Sequence, residues 1–341
     1  MNNTYKMMIF AFTYGISFYY LKIFSTQNSY LIVIIGSIIG FLYQNMISKI
    51  RKSHKNKTIY EINKILLGNT IGSIVNIIFV LVFTLLTIIS FWYISVFLKT
   101  NFFEETPILI INIVLILPVI YTINKNANCF FKANSIFAAI VLFLTIIAFL
   151  FLLPQVELSN LKPFEEVKLS NMIYALFGFT TTTFLPTYVI NEELSLKDLF
   201  KNIILLTSIV FFTYTVLGNS IISIVDFPQF FVLRKIKFNA TRIDSLIIIG
   251  WFLSIYIANM SFILFIKNYL KYEIKSFKNS YSYLIIIFLL LSIPCIFENV
   301  SIGKYFILNY LPFILFFTLF LINFIVYCII KVKHKSVSHK Y

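Results

Sequence analysis

Residues 70–98 pass without one acidic, basic or histidine side chain, in a stretch dominated by Ile, Val, Leu and Phe. A helix of that length rises about 43 Å at 1.5 Å per residue, more than the roughly 30 Å hydrocarbon core of a bilayer. Comparable apolar runs recur along the whole chain and give ten predicted spans, at about 5–24, 30–48, 70–98, 107–123, 135–153, 171–190, 203–225, 245–266, 281–297 and 307–330. Only 12% of the residues are charged and 60% are hydrophobic, whereas a domain surrounded by water carries about 25% charged residues. The expectation is one all-α, polytopic integral membrane domain covering residues 1–341, with the lipid bilayer as its surroundings. The first apolar run has no small-residue cleavage site and more spans follow it, so no cleaved signal peptide is expected.

A formal net charge of +15 is explained by membrane orientation rather than by nucleic acid, and no nucleic-acid partner is expected. An even number of spans places both termini on one side. With that side cytoplasmic, 19 of the 28 basic residues fall in inner segments: Lys6, the 49–69, 124–134, 191–202 and 267–279 connections, and the tail after Ile330. The remaining nine, among them Lys162, Lys168, Arg234, Arg242 and Lys304, fall outside. Short cytoplasmic loops carry an excess of Lys and Arg, so the bias sets the orientation. The 226–244 connection is the one basic segment on the outer side.

The interiors of the ten spans hold no Asp, Glu, Lys, Arg or His. Intramembrane ionisable groups carry proton relays and ion paths, and their absence argues against proton-coupled transport. Sodium coupling through backbone carbonyls and hydroxyls at broken helices remains compatible with the sequence. The three histidines (His54, His334 and His339) lie in basic polar segments, and Cys129, Cys295 and Cys328 have no metal-like spacing. No catalytic residue, metal site or cofactor is therefore expected, and the chain is not read as an enzyme.

Within span six, "GFTTTTFLP" (178–186) collects four threonines between a glycine and a proline. Pro186 lacks an N–H, so the Thr182 carbonyl loses its helical donor. Gly178 weakens the helix one turn or so earlier. Threonine hydroxyls bond carbonyls three or four residues back and help bend a helix. A backbone group freed in lipid must find its partner in protein or water. Two readings follow: a discontinuous helix offering backbone dipoles to a small polar ligand, or a kinked packing helix whose threonines satisfy its own carbonyls. After span two, residues 58–66 have helical spacing, with Ile59, Ile62 and Leu66 opposite Glu61 and Lys64. This is expected to be a short amphipathic helix on the inner surface drawn to anionic lipid, or else a solvated connector. Gly36/Gly40 and Gly68/Gly72 have the spacing of close helix contacts.

Several segments taken in order carry a family resemblance: "KTIYEINKILLGNTIGSI" (57–74), "EETP" (104–107), "LKP" (161–163), "FGFTTTTFLP" (177–186), "DFPQFFVLRKIKF" (226–238) and "TRIDS" (241–245), followed by Trp251. Together they resemble the B subunits of spore germinant receptors, the spore germination permeases of the amino acid/polyamine/organocation superfamily. The resemblance implies an inverted-repeat, leucine-transporter-like fold of ten transmembrane helices, with helices one and six broken at mid-membrane. It implies a subunit that senses a nutrient such as an amino acid, acting with A and C partner subunits in the inner membrane of the spore. Where many relatives carry a glutamate in span six, this chain has Thr180.

In a fold of that kind spans three and eight flank the broken helices. The ligand-binding residues expected on this basis are Gly15, Ile16 and Ser17 from span one, and Val82 and Leu86 from span three. Span six adds Phe177, Gly178, Thr180 and Thr181, and span eight adds Ala258 and Phe262, with Tyr256 and Asn259 nearby. Val82 and Leu86 share a helix face, as do Ala258 and Phe262. Two further readings stand beside the receptor subunit: a secondary amino acid transporter, and an assembly subunit with a vestigial pocket.

Overall fold

The structure, a computed structural model, describes residues 29–54, 57–123, 127–161, 196–236, 244–274 and 300–338, with nine separate positions between Leu169 and Tyr188. The expected site residues Gly15, Ile16, Ser17 and Thr181 lie outside the described residues, as do predicted spans one and nine. Among the described residues every regular element is helical. In chain order these are α1 (Ser29–Ser53), α2 (Ile59–Leu67), α3 (Asn69–Asn101), α4 (Ile108–Ile123), α5 (Ala127–Leu152), α6 (Leu196–Ile224), α7 (Pro228–Arg234), α8 (Asp244–Glu273), α9 (Val300–Asn309), α10 (Leu311–Leu315) and α11 (Ile322–Ser338). A π-helical turn, Phe316–Leu321, joins the last two. Six stretches within these helices are long and apolar enough to cross a membrane: Leu31–Arg51, Asn69–Asn101, Asn134–Gln155, Ile203–Ile222, Ile248–Glu273 and Leu311–Lys331. The protein is thus an all-helical integral membrane protein.

The centre of the fold is the long pair α3 and α8. α3 runs 33 residues, and from Leu86 to Phe97 every side chain is buried. Aromatic rings join the two helices along their length. Phe83 meets Phe265 at 4.3 Å and Phe262 at 5.5 Å, and Phe97 stands edge-on to Trp251 at 4.9 Å. Edge-to-face and tilted ring pairs of this kind contribute about 0.5–1.5 kcal/mol each beyond the area they bury. In lipid, where burial against neighbouring helices gains little hydrophobic energy, such packing carries helix association.

The amphipathic segment after α1 does form a helix, α2, but it lies against protein. Glu61 reaches back from the first turn, where its carboxylate accepts from the Thr58 N–H at 2.7 Å and from Thr58 Oγ1 at 3.0 Å, the reciprocal start signal of a helix. Ile59, Tyr60, Ile62 and Asn63 are all buried. Tyr60 Oη donates to the Phe265 carbonyl at 2.9 Å, so α2 is tied to α8. Burial pushes the Tyr60 phenol above its ordinary pKa, which keeps that donor protonated. Asn63 Nδ2 donates to Asn76 Oδ1 at 2.9 Å, and Asn76 Nδ2 donates to the Tyr60 carbonyl at 3.1 Å, tying α2 to α3. Lys64 pairs with Glu273 at 2.6 Å. The apolar face assigned to lipid is therefore occupied, with Ile62 packing beside Ile50, Val326 and Ile330. Helical spacing reports an apolar partner without saying whether that partner is lipid or protein.

The two glycines beside α2 have different jobs. Gly68 sits at φ +83°, in the region that favours glycine, and turns the chain from α2 into α3. A Cβ on Gly72 would stand 2.6 Å from the Lys64 Cα and 2.8 Å from the Asn63 carbonyl oxygen, so here the two backbones touch.

α6 is bent within predicted span seven. Gly218 takes φ +72°, and the Thr215 carbonyl one turn earlier accepts from the Glu157 N–H at 3.1 Å and from Asn160 Nδ2 at 2.9 Å. The turn Leu158–Leu161 thus caps a bent helix from outside it. Gly218→Ala should lower stability by about 1–3 kcal/mol, the cost of holding an L-residue at φ +72°, ψ 163°, a conformation that essentially only glycine adopts. Its Cβ would also press on Asn160 Oδ1 at 3.2 Å. A thermal unfolding midpoint in detergent checks this, and an unshifted midpoint would show the bend to be unstrained.

Candidate functional site

Three elements converge where the sequence places a ligand site: the middle of α3, the middle of α8 and the segment around Phe177–Tyr188. Val82 and Leu86 are buried on α3, and Ala258 and Phe262 are buried on α8. These two pairs are brought to one interface, since Phe83, next to Val82, packs on Phe262. Tyr188 closes the third side, meeting Phe79 at 5.5 Å and Phe83 at 5.9 Å.

In span six, Leu176, Phe177, Gly178 and Thr180 are helical, and Leu185 lies in a turn whose carbonyl accepts from the Tyr188 N–H at 3.1 Å. Gly178 is buried. Thr180 is also buried, and its hydroxyl donates to the Leu176 carbonyl at 2.7 Å, the bond to the helix's own backbone that the packing-helix reading expects of these threonines. Phe177 turns a different way from the α3/α8 pair. Its ring stacks on Phe316 at 4.0 Å and stands edge-on to Phe313 at 5.2 Å, which fastens this segment to the π-helical turn.

Below the aromatic interface lies a polar cluster that the sequence reading did not single out. The Leu319 carbonyl accepts from Tyr43 Oη at 2.6 Å, from Tyr188 Oη at 3.0 Å and from Asn323 Nδ2 at 2.7 Å. Tyr43 Oη also reaches the Phe320 carbonyl at 3.1 Å, and its ring stacks on Phe320. Asn323 Nδ2 also bonds Tyr188 Oη, while the Tyr188 carbonyl accepts from Arg51 Nη2 at 3.4 Å. A π-helical turn misaligns carbonyls with the donors an α-helix would supply, so the acceptors gathered here are available to side chains. The cluster joins α1, span six and the last helix through residues 131 to 277 positions apart in sequence. The available signal was Asn323, an amide isolated within a run of Leu, Ile and Phe; such a group in lipid has to find a partner in protein.

The arrangement can hold a small molecule by shape and backbone, and through Leu319 it can hold α1, span six and α11 together. Nothing in it resembles a nucleophile with its base. Among the described residues no three His, Cys, Asp or Glu side chains cluster as a metal site.

Comparison with known proteins fits this geometry. The fold is similar to that of a solved Na⁺-coupled sialic acid symporter, determined substrate-bound and outward-open, with a TM-score of 0.58 and 14% sequence identity. That alignment covers 94% of this chain and 78% of the symporter. No curated protein matches the sequence. Fold and family are those of permease-like membrane proteins rather than of enzymes. The profile of the spore germination proteins matches residues 3–302, and the chain belongs to that family.

Proposed function

We propose that the protein is the nutrient-sensing B subunit of a spore germinant receptor, acting with A and C subunits in the inner membrane of the spore. Family membership over residues 3–302 is the observation that carries this reading. Its fold would be the ten-span inverted repeat with broken helices one and six. The ligand, a small nutrient such as an amino acid, would sit at mid-membrane among Gly15, Ile16 and Ser17, Val82 and Leu86, Phe177, Gly178, Thr180 and Thr181, and Ala258 and Phe262. The meeting of Phe83 and Phe262 supports this placement, as do buried Gly178 and Thr180 beside a turn at Leu185. In this account ligand binding changes how span six rests on α11, and the partner subunits read that change.

The first test is germination of spores lacking the protein against a panel of nutrients. Loss of response to one nutrient class is expected, and an unaltered response to all would remove the proposal. Within the site, Gly178→Leu should abolish the response by filling the approach to the backbone. Thr180→Val should raise the half-maximal concentration by up to about tenfold, the scale of one hydrogen bond. Dose–response curves at matched protein levels report both, and two parental curves would move the site elsewhere.

A second reading is a secondary transporter, favoured by the likeness to the Na⁺-coupled symporter. Reconstituted vesicles separate the two. Ligand binding without uptake under a sodium or pH gradient belongs to the sensor, and sodium-driven accumulation belongs to the transporter.

A further inference from the structure

Toward the ends of α3 and α8 away from α2, a cavity of about 280 Å³ opens between α3, α4 and α8. Phe91 and Leu98 of α3, Leu115 of α4, and Phe252 and Tyr256 of α8 are among its walls. No wall residue carries a charge. Asn259 also borders the space, but its amide is sealed from it, so the surface presented inside is hydrocarbon and aromatic ring. Leu98, Leu115 and Phe252 are only partly buried, and neighbouring Ile249 is 49% exposed, so the cavity opens sideways from the helix bundle. The flank of α4 continues apolar, with Ile113 and Val114 exposed. α3 and most of α8 are long and apolar enough to cross a membrane, so a sideways opening between them meets lipid.

Size and lining together decide the occupant. An empty space of this kind forfeits dispersion contacts along its walls. An apolar void of about 150 Å³ lined by Leu, Ile and Phe stays dry and takes up benzene, so water does not fill this one. A partner's transmembrane helix is about 10 Å across and could insert only single side chains. A ring the size of benzene would leave nearly half of the space empty. A flexible hydrocarbon strand fits better, since by the same scale the cavity holds roughly eleven carbon atoms. The shape suits a strand too, because Phe91 to Leu98 covers about 10 Å of α3. We propose that the cavity is a lateral lipid site, which takes one acyl chain of a bilayer phospholipid lengthwise between α3, α4 and α8. The chain lies against the ring cluster that joins the two long helices, since Phe252 stands 5.6 Å from Phe97 and 5.2 Å from Trp251. This site is separate from the nutrient site proposed above and does not depend on that reading.

The test uses the full-length protein in lipid nanodiscs doped with a phosphatidylcholine that carries a diazirine in mid-chain, with cross-linked residues located by mass spectrometry. Ordinary surrounding lipid is the background, read at Leu42 of α1 and Phe143 of α5, both more than half exposed. Cross-links around Leu98, Leu115 and Phe252 are expected severalfold above that background. Leu98→Trp fills the cavity from α3, and Leu115→Trp fills it from α4. Each, scored at an unfolding midpoint near the parent's, should return labelling at Phe252 to background. Native mass spectrometry from mild detergent should find one phospholipid more on the parent than on either variant. Labelling of the walls no higher than at Leu42 and Phe143 overturns the proposal, whether or not the variants fold. So does undiminished labelling of Phe252 in a folded tryptophan variant, or a small apolar compound retained by the parent in place of the phospholipid.

Discussion

Gly72→Val should strip the protein from the membrane, with steady-state levels falling to a small fraction of the parent's. The valine Cβ alone would lie 2.6 Å from the Lys64 Cα. No rotamer relieves a clash with backbone, so α2 must lift from α3. Lifting it breaks the Asn63–Asn76 and Asn76–Tyr60 bonds and strands two buried amides. Overpacking ordinarily costs 1–3 kcal/mol, and the stranded amides add about 1–3 kcal/mol each. Gly68→Ala is the control. It meets nothing within 4 Å and pays only for its backbone at φ 83°, ψ 166°, about 1–3 kcal/mol. Immunoblots of membrane fractions and unfolding midpoints should show the Gly72 variant far below the Gly68 variant. Equal accumulation of the two would mean that α2 does not rest on α3 as described.

The second large effect is expected from the hydroxyl cluster on the π-helical turn. Tyr43→Phe with Tyr188→Phe removes two of the three side-chain donors to the Leu319 carbonyl and leaves the rings in place. At about 0.5–1.5 kcal/mol per bond, the pair weakens the junction of α1, span six and α11 by about 1–3 kcal/mol. If release of that junction is part of signalling, a nutrient has that much less to overcome. The half-maximal concentration should then fall by about tenfold, at roughly 1.4 kcal/mol per decade, and germination without nutrient should rise. The double variant should exceed the two single variants, because both hydroxyls share one acceptor. A lowered unfolding midpoint with an unchanged dose–response would make the cluster structural only.

These two cases also show what the sequence could and could not disclose. The Gly68/Gly72 spacing was half legible: small residues four apart beside a long apolar run mark close helix approach, which Gly72 makes, whereas Gly68 is a turn that meets nothing within 4 Å. The direct packing of α3 on α8 was not legible: the family resemblance places spans three and eight only as flanks of the broken helices, and the rings of Phe83, Phe262 and Phe265 show them in contact. The Leu319 cluster was not legible. Its members come from three distant segments, and the feature that frees the acceptors is a switch from i→i+4 to i→i+5 bonding over Phe316–Leu321, for which those residues carry no marker. The bend at Gly218 was missed for a related reason: periodicity accepts one glycine inside a helix, and only the docking of Asn160 from another segment shows that the backbone turns there. The helical face of α2 was read correctly as apolar, while its partners, the start of α3, the finish of α8 and Val326 and Ile330 of α11, could not be read from a one-dimensional pattern.

α2 ties α3 to α8 at one end only. Its bonds reach Asn76 near the start of α3, and Phe265 and Glu273 near the finish of α8. Beyond the clasp α3 and α8 meet through ring contacts such as Phe97 on Trp251, which are non-directional and yield to a small tilt more readily than the clasp's hydrogen bonds do. From Asn76 to Leu98 is about 33 Å along α3, so a swing of only about 5° displaces the far ends by about 3 Å. The clasp therefore acts as a fulcrum, and a tilt of that size would be felt mostly at the end of the pair away from it. A tilt started near the middle of α3 and α8 would be magnified at that far end, while the end stapled by the nine-residue α2 stays nearly still.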